Sequence, residues 1–402
     1  MMSSKLIARK YSLVAIMVVG MVVACSTVAG SMPAFEAKVS QDQALQRLGE
    51  AFITAGKADG LSIAVIENGD ISFLNFGTVS RTTVQRPTET TVYEIGSITK
   101  VFTSLLLAHA VTDGRVNLQD DIRRYLHGEY PNLEFEGSPV RLVHLAEMTS
   151  GLPDNIPDLA PFIEEGGMDR TPFLISDRWT TYSNADLLID LRTAELLDRP
   201  GAASRHSNVA ATLLGIILET VYDEPYENLV SRYIEAPYGM GLGTGEDRAL
   251  DLAPGYNSSH LAMPALGGRY ILSAGGLRYS SADMARFVLA QLGAADDAVR
   301  LSQQATGGED HAAVGFNWRI STSADSGRVL RTSGGTFGAS SYVEIRPDLD
   351  YGIVLLTNRS GAEGALHELA EQAFQRTGVE RGGTERPAMP VDDRAVGEES
   401  SH

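Results

Sequence analysis

Apolar and polar residues alternate in two runs near the start of the chain, on either side of a strong turn signal. Residues 61–77, LSIAVIENGDISFLNFG, contain two β-rich runs that flank Asn68 and Gly69. This residue pair is typical of a two-residue hairpin turn. Residues 41–52, just before it, carry apolar residues at helical spacing. The pattern therefore predicts a helix followed by a β-hairpin.

Helical patterns occupy the middle of the chain, and strand patterns return near its end. An apolar run, VFTSLLLAHAV, predicts a helix from Ser97 to Gly114. Residues 116–270 contain further helical patterns, such as NADLLIDLRTAELL and NVAATLLGIILETV. Strand patterns follow in AAVGFNWRIS, SSYVEIRP and YGIVLLTN, and GALHELAEQAFQRTG predicts a last helix. If the early hairpin pairs with the late strands, both chain ends build one sheet.

This order of elements predicts an α+β fold. An antiparallel sheet made from both chain ends is flanked by helices, and a mostly helical domain is inserted between them. We assign the folded domain to residues 36–379, with an α/β part at about 36–115 and 271–379 and a helical part at about 116–270. Residues 380–402 are polar and lack apolar periodicity, which predicts a disordered tail. We expect a cleft where the two parts meet.

Residues 1–35 have the layout of an export signal and a linker. A basic start precedes an uncharged, mostly apolar run at residues 11–24, which is too short to cross a bilayer comfortably. The signal has two possible endings. Cleavage would fall near Ala29 or Gly30, or Cys25 would be lipidated in a lipobox-like sequence and anchor the protein to a membrane. Both endings predict a periplasmic or extracellular protein.

Composition and charge exclude several classes of partner. The net charge of −18 disfavours nucleic acid, because phosphate binding needs clustered lysine and arginine. Cys25 is the single cysteine, so no disulfide forms within the chain. The histidines have no metal-ligand spacing and there is no Gly-rich phosphate loop, so we expect neither a metal nor a cofactor. The remaining expected partner is a small-molecule or peptide substrate, and nothing in the sequence sets the oligomeric state.

Ser97 and Lys100 are the strongest candidates for chemistry. Their spacing puts them one turn apart on one face of the predicted helix. A serine hydroxyl is a weak nucleophile that needs a neighbouring base. A lysine can be that base if its pKa falls well below the usual ~10.4. Ser97 at a helix N-terminus also has backbone N–H groups near the place where an oxyanion would develop.

The use of lysine along the chain supports a chemical role for Lys100. Only five of the 33 basic residues are lysine, and none follows Lys100. Arginine is therefore used wherever a positive charge suffices. Because lysine can lose its proton in a protein and arginine cannot, a lysine kept three residues after a serine indicates a base.

At these residues the sequence resembles class C β-lactamases, DD-peptidases and related family VIII esterases. YEIGSITKVFTSLLLA is similar to their nucleophile segment. Further segments match in order, namely DGRVNLQDDIRRYL, VRLVHLAEMTSGLPD, PGAASRHSNVAATLLGIILETV, SAGGLRYSSADMARFVL and SGGTFGASSYVEIRPDLDYGIVLLTN. The resemblance covers residues 40–378 and implies acyl transfer through a covalent ester on Ser97, with Lys100 as the base.

The second motif of the resembled family departs from its usual Tyr-x-Asn. The resemblance puts it at residues 206–208, His-Ser-Asn, after the Pro-Gly pair at 200–201. Tyr182–Asn184 has the usual residues but precedes that pair, so we interpret it as a helix cap. His206 is either a proton carrier in place of the tyrosine or a spacer that leaves the lysine to work alone. Asn208 is implied to hydrogen-bond the substrate amide or the lysine.

The third motif is usually Lys or His, then Thr or Ser, then Gly, and the resemblance puts it at residues 332–334. Ser333 keeps the hydroxyl, and Gly334 lets a substrate approach the strand closely. The N–H of Gly335 is implied to be the second oxyanion donor, beside that of Ser97. The resemblance therefore implies that Asn208, Ser333, Gly334 and Gly335 bind the substrate.

Thr332 stands where the family has a cation that helps to hold a substrate carboxylate. Arg331 is adjacent but faces the other side of a strand. We expect a serine hydrolase acting on D-amino-acid or cell-wall peptides, or on related amides and esters. A family VIII-like carboxylesterase, which the lost cation favours, and a weak β-lactamase are alternatives. A non-catalytic penicillin- or peptide-binding homologue is the alternative of another class.

Overall fold

A computed structural model describes residues 32–244, 251–294, 296–306, 313–323 and 327–376. The described helices are α1 Met32–Thr54, α2 Thr99–Thr112, α3 Leu142–Ala146, α4 Ala160–Thr181, α5 Asn184–Asp190, α6 Asn208–Tyr222, α7 Tyr226–Val230, α8 Ala236–Tyr238, α9 Leu272–Gly275, α10 Ser281–Gly293, α11 Asp297–Ser302 and α12 Glu363–Arg376. The described strands are β1 Gly60–Glu67, β2 Asp70–Gly77, β3 Val92–Glu94, β4 Glu134–Phe135, β5 Ser138–Pro139, β6 Arg278–Ser280, β7 Ala313–Gly315, β8 Trp318–Ser323, β9 Gly327–Gly335, β10 Ser340–Arg346 and β11 Tyr351–Thr357.

Seven strands form one antiparallel sheet in the order β2-β1-β11-β10-β9-β8-β7. Strand β1 pairs with β11, which joins the early hairpin to the late strands, as predicted. The β1–β2 turn contains Asn68 at φ 52° and Gly69 at φ 83°. These two residue types tolerate the left-handed conformation that a tight hairpin turn requires. The predicted α+β fold, with helices flanking a sheet from both chain ends, is confirmed.

The two faces of the sheet bury different sets of side chains. Alternate residues of β1, such as Ile63 and Val65, pack in one cluster with Leu366 and Leu369 of α12. The intervening residues, such as Ile66, pack in the main core, which also contains α2, α6 and α10. The sheet is therefore sandwiched between α1 with α12 on one side and the helical core on the other. This burial on both faces explains the continuous apolar runs in the central strands.

Helix α2 lies at the centre of the main core and carries almost no exposed residue between Thr99 and Ala110. Phe102 stacks on Phe287, with 4.2 Å between ring centroids, and on Tyr279, with 5.2 Å. A helix this deeply buried gives a rigid support to any side chain on its first turn.

Several predictions concern the chain ends. The first helix, predicted at residues 41–52, begins earlier, at Met32. The export signal with Cys25 and the C-terminal tail lie outside the described residues. Among the residues that the structure describes, no helix has the length and apolar character needed to span a membrane.

Replacing Phe102 with alanine should lower the free energy of unfolding by about 3–5 kcal/mol, because the ring is fully buried and its loss leaves a cavity. Chemical denaturation of the purified protein measures this change. Phe173→Ala is the control, since that ring is 44% exposed on α4 and its loss should cost less than about 0.5 kcal/mol. Equal effects of the two substitutions would contradict the placement of Phe102 at the centre of the core.

Candidate active site

Ser97 lies on a short 3₁₀ turn, Gly96–Ile98, that leads into α2. The predicted helix start at Ser97 therefore falls on this turn, and the α-helix itself begins at Thr99. Gly96 has φ 52°, and a Cβ there would lie 2.8 Å from the backbone nitrogen of Gly335. Only glycine fits a position that combines left-handed backbone with so close a neighbour.

Strand β9 passes directly against this turn. A Cβ on Gly334 would lie 2.0 Å from the carbonyl oxygen of Ile95 and 2.8 Å from the nitrogen of Ser97. The hydroxyl of Ser341 on β10 donates to the same Ile95 carbonyl at 2.7 Å and fastens the turn to the sheet. The N–H groups of Ser97 and Gly335, both predicted oxyanion donors, are therefore brought close together at the end of β9.

Lys100 is 3% exposed and has three polar neighbours at its amino group. Its Nζ lies 3.0 Å from Ser97 Oγ, 2.8 Å from Asn208 Oδ1 and 2.7 Å from the carbonyl oxygen of Ala274. A neutral amine has two N–H groups and one lone pair. Asn208 Oδ1 and the Ala274 oxygen are acceptors only, so they take the two N–H groups. The lone pair of neutral Lys100 then faces the hydroxyl of Ser97.

The electrostatics of the cleft favour a neutral Lys100. Burial lowers the pKa of its amino group to about 7, because the charged form loses hydration. The negative charge of Asp154 acts in the opposite direction and raises this pKa. A substantial fraction of Lys100 is therefore neutral near pH 7, in contrast to an exposed lysine.

His206 is the second base in contact with Ser97. Its Nε2 lies 3.2 Å from Ser97 Oγ, and its Nδ1 lies 2.7 Å from Asp154 Oδ1. Burial alone would raise the pKa of the Asp154 carboxyl, but the hydrogen bonds from His206 and from the Asn208 N–H, together with the positive charges that His206 and Lys100 carry when protonated, hold this pKa below its ordinary value. Because an ionised carboxylate only accepts hydrogen bonds, Nδ1 carries a proton. Nε2 of neutral His206 then presents its lone pair to Ser97.

Asn208 lies at the start of α6, two residues after His206, and contacts Lys100. Ser207 is the N-cap of this helix and accepts the N–H of Ala210 at 3.0 Å. Asn208 accepts from Lys100 through Oδ1 and donates through Nδ2 to Asn155 Oδ1 at 3.0 Å. The contact between Asn208 and Lys100 that the resemblance implied is therefore present. The Ser207 cap fixes the backbone around positions 206–208 and so sets the direction of the His206 and Asn208 side chains.

Two cavities open on either side of Ser97. The apolar cavity, of about 280 Å³, is lined by Trp179, Leu266, Ile271 and Phe337 together with Asn208 and Gly335. The polar cavity, of about 210 Å³, is lined by Asn317, Arg319, Thr332 and Ser333 together with Lys100 and His206. Both cavities reach Ser97 and His206, so a bound molecule can extend in two directions from the serine.

The predicted site residues meet in one cleft. Ser97, Lys100, His206, Asn208, Ser333 and Gly335 all line these cavities, and Gly334 packs beneath the turn. Tyr182–Asn184 lies elsewhere, as predicted. Ser183 caps α5 by accepting the N–H of Asp186, and the Tyr182 hydroxyl donates to Asp190 at 2.7 Å.

Sequence reasoning missed Asp154, Arg319 and Trp179. Asp154 is the last residue of the segment VRLVHLAEMTSGLPD, and its place in that segment was the one available signal. Arg319 stands on β8, opposite Arg331 on the neighbouring strand. Trp179 ends a long segment of the helical part and has no pattern that marks it as a cavity residue.

One group of possible metal ligands occurs among the described residues, namely Glu344, His367 and Glu371. Arg346 already occupies it, with Nη2 at 2.7 Å from Glu344 Oε1 and 3.2 Å from Glu371 Oε1. The Tyr342 hydroxyl donates to the other Glu344 oxygen at 2.9 Å. These contacts satisfy the carboxylates, so the group fits an ion-pair network better than a metal.

Comparison with curated proteins finds relatives that share part of their length with this chain. The D-alanyl-D-alanine-carboxypeptidase/endopeptidase AmpH of Escherichia coli K12 is 28% identical over 219 residues, which is 54% of this chain and 52% of AmpH. A β-lactamase of Pseudomonas fluorescens is 26% identical over 57% of this chain and 58% of its own length. Protein flp of Staphylococcus aureus N315 is 26% identical over 79% and 63%. The matches thus span between half and two thirds of these relatives.

Solved structures share the fold over nearly their whole length. A class C β-lactamase from Rhodobacter sphaeroides superposes with a TM-score of 0.69 at 22% identity and covers 83% of this chain and 98% of its own. A β-lactamase/D-alanine carboxypeptidase from Yersinia pestis, complexed with citrate, gives 0.69 at 23% identity over 84% and 99%. These likenesses establish the fold.

The family model described as Beta-lactamase matches residues 40–377, which is most of the chain and includes every residue of the cleft. The chain therefore belongs to the β-lactamase family, whose members are serine hydrolases.

Proposed function

We propose that this protein is an exported serine hydrolase that cleaves D-amino-acid or cell-wall peptides, or related amides and esters, through an acyl-enzyme on Ser97. The observation that carries the proposal is the set of three contacts around Lys100. Two of them use acceptors only, so the lone pair of the neutral amine is directed at the one partner that has a proton to give. AmpH, a relative of the chain, is named as a carboxypeptidase and endopeptidase, which supports a peptide substrate.

In the proposed acylation, the Ser97 proton moves to Lys100 Nζ as Ser97 Oγ bonds to the acyl carbon. The electrons of the carbonyl move onto its oxygen, which the N–H groups of Ser97 and Gly335 would stabilise. Collapse breaks the bond to the leaving nitrogen or oxygen. The leaving group takes the proton from Lys100, which restores the neutral amine.

The two cavities support a substrate with one apolar end and one polar, negatively charged end. The apolar cavity, with Trp179 and Phe337 stacked at 5.8 Å, suits an apolar part of the acyl group. The polar cavity contains Arg319, an exposed cation beside Thr332 and Ser333. Arg319 has no ion pair with any described residue, so it is available to a substrate anion. Arg319 supplies, from β8, the positive charge that is absent at position 332. This charge favours a substrate whose leaving group has a free carboxylate.

A carboxylesterase or a weak β-lactamase is the second candidate, because an uncharged ester would also fit the apolar cavity and reach Ser97. The two candidates differ in their need for Arg319. A peptide with a free carboxylate would use this arginine, whereas a neutral ester would not.

Incubation of the protein with a fluorophosphonate, and separately with a penicillin, should add one mass increment at Ser97. Intact mass spectrometry measures the adducts, and Ser97→Ala should prevent both. A penicillin adduct would support the peptide substrate, while a fluorophosphonate adduct alone would favour the esterase. A folded protein that forms neither adduct would overturn the hydrolase and favour the non-catalytic binding homologue.

The rate of acylation should fall as the pH drops through about 7, because protonation of Lys100 removes its lone pair. Lys100 faces Ser97 on its own helix, Asn208 on α6 and the Ala274 carbonyl on α9, with Asp154 as the nearby charge. Rates for a neutral ester, measured across this range, test the effect. The acidic limb should persist in His206→Ala. A rate that does not change through pH 7 would contradict the assignment to Lys100. Loss of the acidic limb in His206→Ala would contradict it as well.

Arg319→Gln should raise the KM for a peptide with a free terminal carboxylate by about tenfold, as expected for the loss of one charge-assisted contact. The same peptide with an amidated terminus should show no change. Arg331→Gln is the matched control variant. Arg331 is the cross-strand neighbour of Arg319 in the sheet but does not line the cavity. Equal effects on both peptides would rule out a carboxylate contact.

A further inference from the structure

Ser97 has one proton and two bases within reach. Lys100 Nζ lies 3.0 Å from Ser97 Oγ, and His206 Nε2 lies 3.2 Å from the same oxygen. A hydroxyl gives its proton to one acceptor at a time. If Lys100 takes the Ser97 proton during acylation, His206 accepts no proton in that step. The lone pair of His206 is then free to accept a proton in a different step.

The two bases differ in their access to water. Lys100 is 3% exposed, and the one direction left open by its two acceptors leads to Ser97. The side chain of His206 is 46% exposed and that of Asp154 is 53% exposed. Both side chains line the polar cavity, but His206 is far more exposed than Lys100, so a water molecule that approaches an ester on Ser97 from solvent meets His206 first.

Asp154 is held in place independently of His206. Its carbonyl oxygen accepts the N–H groups of Asn208 at 2.9 Å and Val209 at 3.2 Å. Its Oδ1 accepts the Asn208 N–H at 3.3 Å in addition to its contact with His206 Nδ1. The first turn of α6 therefore anchors the aspartate, and the positive end of the helix favours its ionised form.

We propose that Asp154 is a positioning residue that makes His206 the base of the hydrolytic half-reaction, while Lys100 serves acylation. This inference rests on the proposed function of Ser97. The carboxylate keeps the proton of His206 on Nδ1, so that Nε2 faces the ester, and it stabilises the imidazolium that forms when Nε2 accepts a proton.

The step balances without any further reactant. A water proton moves to His206 Nε2 as the water oxygen bonds to the acyl carbon, and the carbonyl electrons move onto the oxyanion. Collapse breaks the bond between the acyl carbon and Ser97 Oγ. The proton on Nε2 then moves to this oxygen, 3.2 Å away, which releases the acid and restores Ser97 and neutral His206.

Asp154→Asn should slow turnover by about 10²-fold while acylation changes little, because a general base contributes about this much to one proton transfer. A chromogenic ester would then give a burst of one product per enzyme followed by slow turnover. Intact mass during turnover would show the accumulated acyl-enzyme. Asp198→Asn is the matched control, since Asp198 pairs with Arg205, one residue before His206, and should leave both phases unchanged.

Two measurements separate positioning from a general structural effect. In a His206→Ala background, Asp154→Asn should cause almost no further loss of turnover, because residues that act through one another are not additive. Nitrogen NMR of the His206 ring should show a proton on Nδ1 in the wild type and a change of tautomer in Asp154→Asn.

Three results would overturn the inference while leaving Ser97 as the nucleophile: unchanged turnover in Asp154→Asn, an equal fall of acylation and turnover, or a full additional loss in the His206→Ala background. Wild-type protein that forms no adduct on Ser97 would instead overturn the proposed function, and this inference with it.

Discussion

The close contact between strand β9 and the turn that carries Ser97 is the constraint on which the cleft depends. It exists because Gly96 and Gly334 have no side chains, as a Cβ on either would lie within 3 Å of the opposing backbone. The contact brings the backbone nitrogens of Ser97 and Gly335 near each other and leaves Ser97 in the lining of both cavities. The seven-stranded sheet supports one side of this contact and buried α2 supports the other.

Burial of α2 also sets the chemistry of Lys100. A lysine this deep would be costly if it had to stay charged, because its ammonium loses hydration. The contacts with Asn208 and the Ala274 carbonyl satisfy two N–H groups, and burial brings the pKa to about 7. The same packing that stabilises the core therefore makes the amine a usable base.

The sequence allowed prediction of those parts of the site that are local in the chain. The spacing of Ser97 and Lys100, the hairpin turn and the late strands all depend on near neighbours, and the structure bears out the arrangement. Asp154 and His206 are 52 positions apart, and their contact depends on how the loop before α4 docks on the first turn of α6. Arg319 lines the same cavity as Thr332 from a neighbouring strand, a position that no pattern within residues 332–334 indicates.

The two departures from the usual motifs, His206 in the second and Thr332 in the third, are electrostatically connected. With neutral Thr332 in place of a cation, burial is the main cause that lowers the pKa of Lys100. A histidine beside the same serine adds a second positive charge whenever it accepts a proton, and that charge would repel protonated Lys100. Asp154 offsets the imidazolium at 2.7 Å. A tyrosine at position 206 would be neutral when protonated and would need no such partner, so in the proposed mechanism the need for Asp154 follows from the histidine at this position.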